Sequence, residues 1–165
     1  MKIDKQAKPK MISLDPDSDE AFRFSEYPMF YIGHIQRQNF INLSAALKTF
    51  DLIPLEWRAL AQLQEKDGVS VSELAEIVIS ERSALSRVIG TMESKGLVKR
   101  LPDKKDQRAT QVLLTKKGLS VFKDILPIVR KKLAWTLDGL STEEKDNMMQ
   151  LLTKLYSNIR RSPFA

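Results

Sequence analysis

Two short helical patterns followed directly by two β-rich segments, all within residues 70–118, constrain the fold more than any other part of this sequence. In the first pattern, residues 71–78, apolar side chains recur at helical spacing. The second pattern ends at Lys95-Gly96, a cation and a glycine that are typical of a helix C-terminus. Its apolar face comprises Leu85, Ile89 and Met92. Two helices joined by only a few residues indicate a helix-turn-helix.

The two β-rich segments, residues 97–101 and 110–114, flank a polar loop with the sequence PDKKDQR. A helix-turn-helix followed by such a ribbon is a winged helix. We therefore predict a mainly α fold with a small β-wing. The tip of the wing contains Lys104, Lys105 and Arg108, which can reach a phosphate backbone or a minor groove.

Four residues near the start of the second helix are the candidates for contact with DNA: Ser83, Ala84, Ser86 and Arg87. They are small or can form hydrogen bonds, which lets a helix enter the major groove. Arg87 has paired donors that match a guanine edge. Its alternative role, a phosphate clamp, has about equal weight.

The positive charge of the chain is concentrated in this region. The formal net charge is +6, and residues 81–118 contain ten basic and four acidic residues, so this stretch carries the whole excess. A solvated surface without a partner would spread its charge, whereas a surface that binds a polyanion concentrates it. The charge favours a nucleic-acid partner over an idle charged face.

The motifs of this region resemble those of the MarR family of transcriptional regulators. The resemblance rests on the KGLV turn after the second helix, the D-x-R of the wing and the LT-x-x-G exit at residues 114–118. It extends over residues 27–159. It implies a DNA-binding regulator, usually a repressor, and is compatible with the branch of the family that responds to aromatic or hydroxycinnamic acids.

The resemblance also implies roles within the wing. Arg108 matches the family's wing arginine, which reaches the minor groove, and Asp106 matches the acid that holds it. Gln107 stands where many relatives have a second arginine. We expect Lys104 and Lys105 to supply phosphate contacts in its place.

Long amphipathic helices are predicted on both sides of the reading unit. We divide the chain into a tail at residues 1–24, dimerisation helices at 25–51 and 119–161, and a DNA-binding lobe at 52–118. Alone, such helices would expose long apolar faces to water, so a homodimer is expected. The resemblance implies the same, and a dimer fits a palindromic double-stranded operator. The tail is expected to lie along the partner subunit or to touch DNA.

The first helix contains a candidate effector site. Arg37 is a cation on a largely apolar helix, where a carboxylate ligand would satisfy its donors. His34 lies one turn earlier, and Met29, Phe30 and Trp57 could form an apolar and aromatic wall. The resemblance implies a small aromatic acid, such as a hydroxycinnamate or benzoate, that releases the operator.

Two alternatives to this effector hypothesis stay open. Arg37 can instead pair with an acid at the dimer interface while His34 is an ordinary interface histidine. A lipid or an acyl-thioester would be a larger effector of the same site. A further alternative is a constitutive winged-helix protein of the replication or nucleoid type.

Other classes of function are disfavoured. One histidine and no cysteine leave few routes to metal binding or nucleophilic catalysis, and neither common phosphate-binding glycine loop is present. We therefore expect no enzyme activity, no metal and no cofactor. No apolar run is long enough to span a membrane, and no signal peptide is visible, so a soluble cytoplasmic protein is expected.

Overall fold

The computed structural model describes residues 10–102 and 110–161, and within them the chain forms six α-helices and three β-strands. The helices are α1 (Pro28–Leu47), α2 (Pro54–Glu65), α3 (Val71–Ile77), α4 (Arg82–Ser94), α5 (Lys116–Thr136) and α6 (Thr142–Ile159). The strands are β1 (Val69–Ser70), β2 (Val98–Pro102) and β3 (Thr110–Leu114). Single 3-10 turns precede and follow α1, at Phe24–Glu26 and Lys48–Phe50. The chain forms two compact units, Met1–Val121 and Phe122–Ala165.

The three strands form one antiparallel sheet in the order β1-β3-β2. β2 and β3 pair from Val98 opposite Leu114 to Pro102 opposite Thr110, which confirms the predicted ribbon. The two-residue strand β1 adds a third strand through Val69 opposite Val112. The mainly α fold with a small β-wing is confirmed, and the additional strand ties the start of α3 to the wing.

The core of the first unit lies between α2, α3, α4 and the sheet. Its fully buried apolar side chains come at helical spacing from the helices and from the inner face of β3: Leu60, Leu63, Leu74, Leu85, Ile89, Met92 and Val112. Each such side chain stabilises the folded state by about 1.5–3 kcal/mol relative to its exposed form. The periodicity that predicted the helix-turn-helix is therefore the pattern that builds its core.

The connection from β3 into α5 explains the LT-x-x-G motif. The Thr115 hydroxyl accepts a hydrogen bond from the Gly118 N–H at 2.9 Å and donates one to the Gly96 carbonyl at 2.7 Å. A side chain on Gly118 would overlap the Leu97 carbonyl oxygen and lie 2.9 Å from Leu114 Cδ1. The motif therefore caps α5 and packs it against the turn that follows α4.

The helices outside this core expose many large apolar side chains. Those of α1 include Ile35, Phe40 and Ile41. In the second unit they include Leu133, Trp135, Leu151, Tyr156 and Ile159. The start of α6 is well defined, since Glu144 N–H donates to the Ser141 hydroxyl at 3.2 Å and Ser141 N–H donates to the Glu144 carboxylate at 2.7 Å. Both α1 and α6 are thus regular helices whose apolar faces are open.

Replacing Gly118 by alanine should destabilise the protein by about 1–3 kcal/mol, because the new methyl group overlaps backbone that cannot move independently. The matched control is Gly90→Ala in α4, where an added Cβ meets no atom within 4 Å. That change should raise stability by about 0.5–1 kcal/mol, since glycine is costly inside a helix. Urea unfolding of both variants measures the difference, and equal midpoints would contradict this account of the motif.

Candidate nucleic-acid interface

The exposed face of α4 carries all four of the predicted contact residues. Ser83, Ala84, Ser86 and Arg87 are exposed, while Leu85 between them is fully buried. Burial of every third or fourth residue fixes the rotation of the helix, so its polar face is directed to solvent. We call this face the reading face. Its contacts with DNA remain a prediction.

An ion pair between a half-buried lysine and a buried carboxylate fixes the C-terminal end of α4. Lys95 Nζ lies 3.1 Å from Glu56 Oε1 and 3.4 Å from Asp51 Oδ2, and it also donates to the Asp51 carbonyl. The Glu56 side chain is only 3% exposed, and its other oxygen accepts a hydrogen bond from Ile53 N–H at 2.9 Å. Lys117 Nζ in turn donates to the Lys95 carbonyl at 2.7 Å. Lys95 is therefore a structural cation, although the sequence count included it in the positive region.

A second ion pair joins α4 to the wing. The Arg100 guanidinium contacts Glu93 Oε2 through Nε at 2.8 Å and Nη2 at 2.7 Å, and the Arg100 backbone N–H donates to Glu93 Oε1 at 2.9 Å. The Arg100 side chain, and then its backbone N–H, hold the pKa of the Glu93 carboxyl below its ordinary value. The base of β2 is thereby held against the last turn of α4.

The remaining cations of the region are those available to a polyanion. Within residues 10–102 and 110–161, four exposed cations of the positive region have side chains that form neither an ion pair nor a hydrogen bond: Arg82, Arg87, Lys99 and Lys116. The predicted wing contacts Lys104, Lys105, Asp106 and Arg108 lie outside the described residues, so they stay predictions. The described cations nevertheless place positive charge on α4, on β2 and at the start of α5.

The candidate effector residues are divided between two helices. Met29, Phe30, His34 and Arg37 lie along α1, whereas Trp57 is buried in the first turn of α2, next to Glu56. The Phe30 and His34 rings contact each other, with centroids 4.4 Å apart. His34 and Arg37 are exposed, and Arg37 forms no ion pair in the part of the chain that the structure describes.

Aromatic residues that the sequence interpretation missed surround Phe30. Phe24 lies 5.1 Å from Phe30 between ring centroids, and Tyr31 lies 5.2 Å from it, both edge to face. Phe22 and Tyr27 extend this cluster. The interpretation of residues 1–24 as a tail hid the signal, which was the density of aromatic residues just before α1.

The described part of the N-terminal segment is held to the start of α1. Ile12 N–H donates to the Glu26 carbonyl at 3.0 Å, and Lys10 pairs with Glu20. The pKa of Lys10 is raised, because Glu20 hydrogen-bonds to the ammonium and attracts its charge. One of the acids in this segment thus neutralises one of its cations, so residues 10–26 are not a free basic arm.

Two negative observations complete the description of the site. Across residues 10–102 and 110–161, no group of three or more histidine, cysteine, aspartate or glutamate side chains could hold a metal ion. Among the same residues, no helix combines the length and the apolar character that crossing a membrane requires.

A helix-turn-helix with an exposed, cation-bearing second helix and an antiparallel ribbon behind it defines a winged-helix DNA-binding protein. Comparison with known proteins identifies the group. The model of the MarR family matches residues 52–110. The chain is 28% identical over 145 residues to the HTH-type transcriptional repressor IacR of Pseudomonas putida, covering 88% of this chain and 86% of that one. Over its DNA-binding lobe and along most of its length the chain is similar to MarR-family proteins, and it is a transcriptional regulator that binds DNA, not an enzyme.

Solved structures agree with this assignment. A MarR-family regulator from Silicibacter pomeroyi superposes with a TM-score of 0.76 at 29% identity, covering 84% of this chain and 93% of that one. BpsR of Bordetella bronchiseptica also gives a TM-score of 0.76, over 84% of this chain and 99% of its own, but at 18% identity. The second likeness establishes the fold alone.

The Glu93–Arg100 contact predicts a pH dependence. Because the folded-state pKa of Glu93 is lowered, the contact stabilises the fold above the ordinary carboxyl pKa and is lost as pH falls through the folded value. The stability difference between the native protein and Glu93→Gln should therefore be full near pH 7 and shrink steadily below about pH 4.5. Urea unfolding at several pH values measures it.

The control for this prediction is the same substitution in an Arg100→Gln background. There the side-chain partner is already absent, so Glu93→Gln should lose most of its pH dependence. A pH dependence of the same size in both backgrounds would assign the effect to other carboxyl groups.

Proposed function

We propose that this regulator is a ligand-responsive repressor that binds a palindromic operator as a homodimer and is released by a small aromatic carboxylate, such as a hydroxycinnamate or a benzoate. Two observations together carry the proposal. The reading face of α4 is exposed, and Arg37 on α1 is an exposed arginine that forms no ion pair with the described residues and lies one turn after His34, which contacts Phe30. The first supports binding of operator DNA. The second supports recognition of an acid.

The operator would be read by the reading face and the wing. Ser83, Ser86 and Arg87 offer hydrogen bonds to base edges, and Ala84 leaves room for the helix to approach. Arg82, Lys99 and Lys116 would contact phosphates, together with the predicted wing residues Lys104, Lys105 and Arg108. The ion pairs of Lys95 and Arg100 support this division, because both side chains are already satisfied within the protein.

The dimer would form through the helices outside the core, with residues 25–51 and 119–161 as dimerisation segments and 52–118 as the reading lobe. The open apolar faces of α1 and α6 support this role, since monomeric proteins rarely expose so many large apolar side chains. Two-fold symmetry of the protein then requires a two-fold operator, with half-sites about one helical turn apart.

Arg87→Ala should weaken operator binding by about fivefold to a hundredfold, the range that loss of one good base contact produces. The probe is a duplex that the wild-type protein selects from a random-sequence pool, and gel-shift titration measures affinity. Lys123→Ala is the charge-matched control, since Lys123 is exposed on α5 outside the positive region. Arg108→Ala applies the same test to the wing.

The same titrations distinguish the two roles of Arg87. If Arg87 reads guanine, its loss should weaken the selected duplex and leave non-specific DNA unchanged. If it clamps phosphate, both duplexes should weaken equally. Unchanged affinity for both would remove Arg87 from the interface.

The effector would lie along α1. Arg37 would bind the carboxylate through its paired donors, and His34, held by its contact with Phe30, would bind a hydroxyl or the second carboxylate oxygen. The aromatic cluster and Met29 would cover the ring. In BpsR, DNA binding is regulated by 6-hydroxynicotinic acid, which is an aromatic carboxylate. At 18% identity that likeness carries only the fold, so the ligand class rests on the residues of α1.

The operator would be released because the effector binds one conformation of the dimer more tightly than the other. Trp57 would provide the link if the ligand contacts it, because Glu56 directly precedes Trp57 on α2, and the Glu56 carboxylate holds Lys95 at the end of α4. A ligand that repositions the first turn of α2 would therefore move the reading helix. A DNA-bound dimer would then lose the half-site spacing that the operator requires.

Arg37→Ala should reduce the affinity for the best acid at least tenfold, because an arginine–carboxylate contact is charge-assisted and bidentate. Calorimetric titration with a panel of benzoates and hydroxycinnamates measures the affinity, and the corresponding amides test the need for the negative charge. Arg58→Ala is the control, since Arg58 is an exposed cation of α2 outside the proposed site.

Other outcomes would replace this effector hypothesis. Equal affinity in Arg37→Ala would leave Arg37 a structural role at the dimer interface. Binding of fatty acids or acyl-thioesters, but not of the panel, would indicate the larger ligand class. If no compound changes operator affinity, the protein would bind DNA constitutively.

A further inference from the structure

The turn between α3 and α4 holds an isoleucine in a left-handed backbone conformation. Ile79 has φ +54°, directly after the last turn of α3. Ser80 N–H donates to the Ala75 carbonyl at 2.9 Å and Ile79 N–H to the Glu76 carbonyl at 3.3 Å. This pair of bonds is the Schellman motif, in which the left-handed position is usually glycine.

This conformation is costly for isoleucine. A left-handed backbone brings Cβ too close to the following carbonyl oxygen, and a β-branched side chain is a true outlier there. The other residues with positive φ in the described chain tolerate it better, since they are three glycines and one aspartate: Gly68, Gly96, Gly139 and Asp51. Ile79 is the exception among them.

Within residues 10–102 and 110–161, no apolar burial compensates for this strain. The Ile79 residue is 79% exposed, so its side chain contributes almost nothing to the core. Its neighbour Val78 is buried and completes the core of the helix-turn-helix, which shows that burial at this turn does not require residue 79. The hydrogen bonds of the turn explain the left-handed backbone, but no contact among the described residues explains an isoleucine at this position, and this points to a contact outside the folded chain.

The position of the turn identifies that contact. Ile79 lies three residues before Arg82, where α4 begins, and four before Ser83, so its Cα is within about 15 Å of the first residue of the reading face. When a reading helix enters the major groove by its N-terminal end, the turn before it reaches the groove edge. Apolar side chains make favourable contact there with the C5-methyl group of thymine.

We propose that Ile79 is a specificity-determining residue of the DNA interface, which contacts a thymine methyl group at the edge of each half-site. The side chain is exposed on a strained turn that ends three residues before Arg82, the first residue of the reading helix. This proposal deepens the DNA-binding role and does not depend on the effector.

The test uses two substitutions that relieve the strain, Ile79→Asn and Ile79→Gly, and one that keeps the branched side chain, Ile79→Val. The first two should raise the urea midpoint of unfolding and yet weaken binding of the selected duplex about three- to tenfold, the loss expected when one methyl-sized contact is removed from the interface. Ile79→Val should retain most of the affinity. A purely structural role cannot produce opposite changes in stability and affinity.

A second measurement locates the contact on the DNA. Each thymine of the selected duplex is replaced in turn by deoxyuracil, which lacks only the methyl group. The wild-type protein should lose affinity at one position in each half-site, and Ile79→Asn should be insensitive there. The thymine assignment would be wrong if Ile79→Asn stayed as sensitive to deoxyuracil as the wild-type protein at every position. It would also be wrong if Ile79→Asn weakened binding to non-specific DNA as much as binding to the selected duplex.

The role of Ile79 and the assignment of the reading face can be tested separately. If Arg87→Ala weakens the selected duplex while both strain-relieving variants bind normally, the reading face stands and the role of Ile79 is wrong. If neither substitution affects binding, the assignment of the reading face itself fails.

Discussion

The ion pair between Glu56 and Lys95 is the interaction on which the arrangement of the reading lobe depends. It joins the first turn of α2 to the last turn of α4, and Lys117 extends it to the start of α5 through the Lys95 carbonyl. The Glu56 carboxylate is buried, so it must keep its partner. Removing the lysine would leave a buried acceptor unsatisfied at a cost of about 1–3 kcal/mol, below the value for a fully buried pair because Lys95 is 27% exposed.

This arrangement changes how the positive charge of the chain is understood. The sequence count treats every lysine and arginine of the region as available to DNA. In the structure Lys95 and Arg100 are engaged by acids, and Lys117 by a backbone carbonyl. The net charge is the same, but fewer side chains are available to phosphates. All the charges of the lobe, paired or not, therefore contribute to the positive electrostatic potential that attracts DNA. Recognition depends on a small set of exposed residues on α4 and in the wing.

The features predicted correctly from the sequence are those encoded by neighbouring residues. The periodicity of Leu85, Ile89 and Met92 predicted α4 and its buried face, Lys95-Gly96 predicted its end, and the β-rich segments 97–101 and 110–114 predicted the wing. The missed features depend on distant partners or on too few residues. Strand β1 has only two residues, and Glu56 and Lys95 are 39 residues apart. For the aromatic cluster around Phe30, the density of aromatic residues was visible in the sequence, but which rings contact each other depends on side-chain directions that no linear pattern supplies.

The reading helix is held at both ends, which limits how an effector can act on it. Its C-terminal end is tied by the Glu56–Lys95 and Glu93–Arg100 pairs, and it follows a strained turn at Ile79 whose hydrogen bonds leave little freedom. Deforming α4 within the lobe would break several of these contacts at once. A ligand bound on α1 can change DNA binding only by the difference in its affinity for the two conformations of the dimer. This coupling free energy is typically about 1–3 kcal/mol. We therefore expect release to occur by movement of the intact reading lobe, which changes the spacing of the two reading helices in the dimer and leaves each helix itself unchanged.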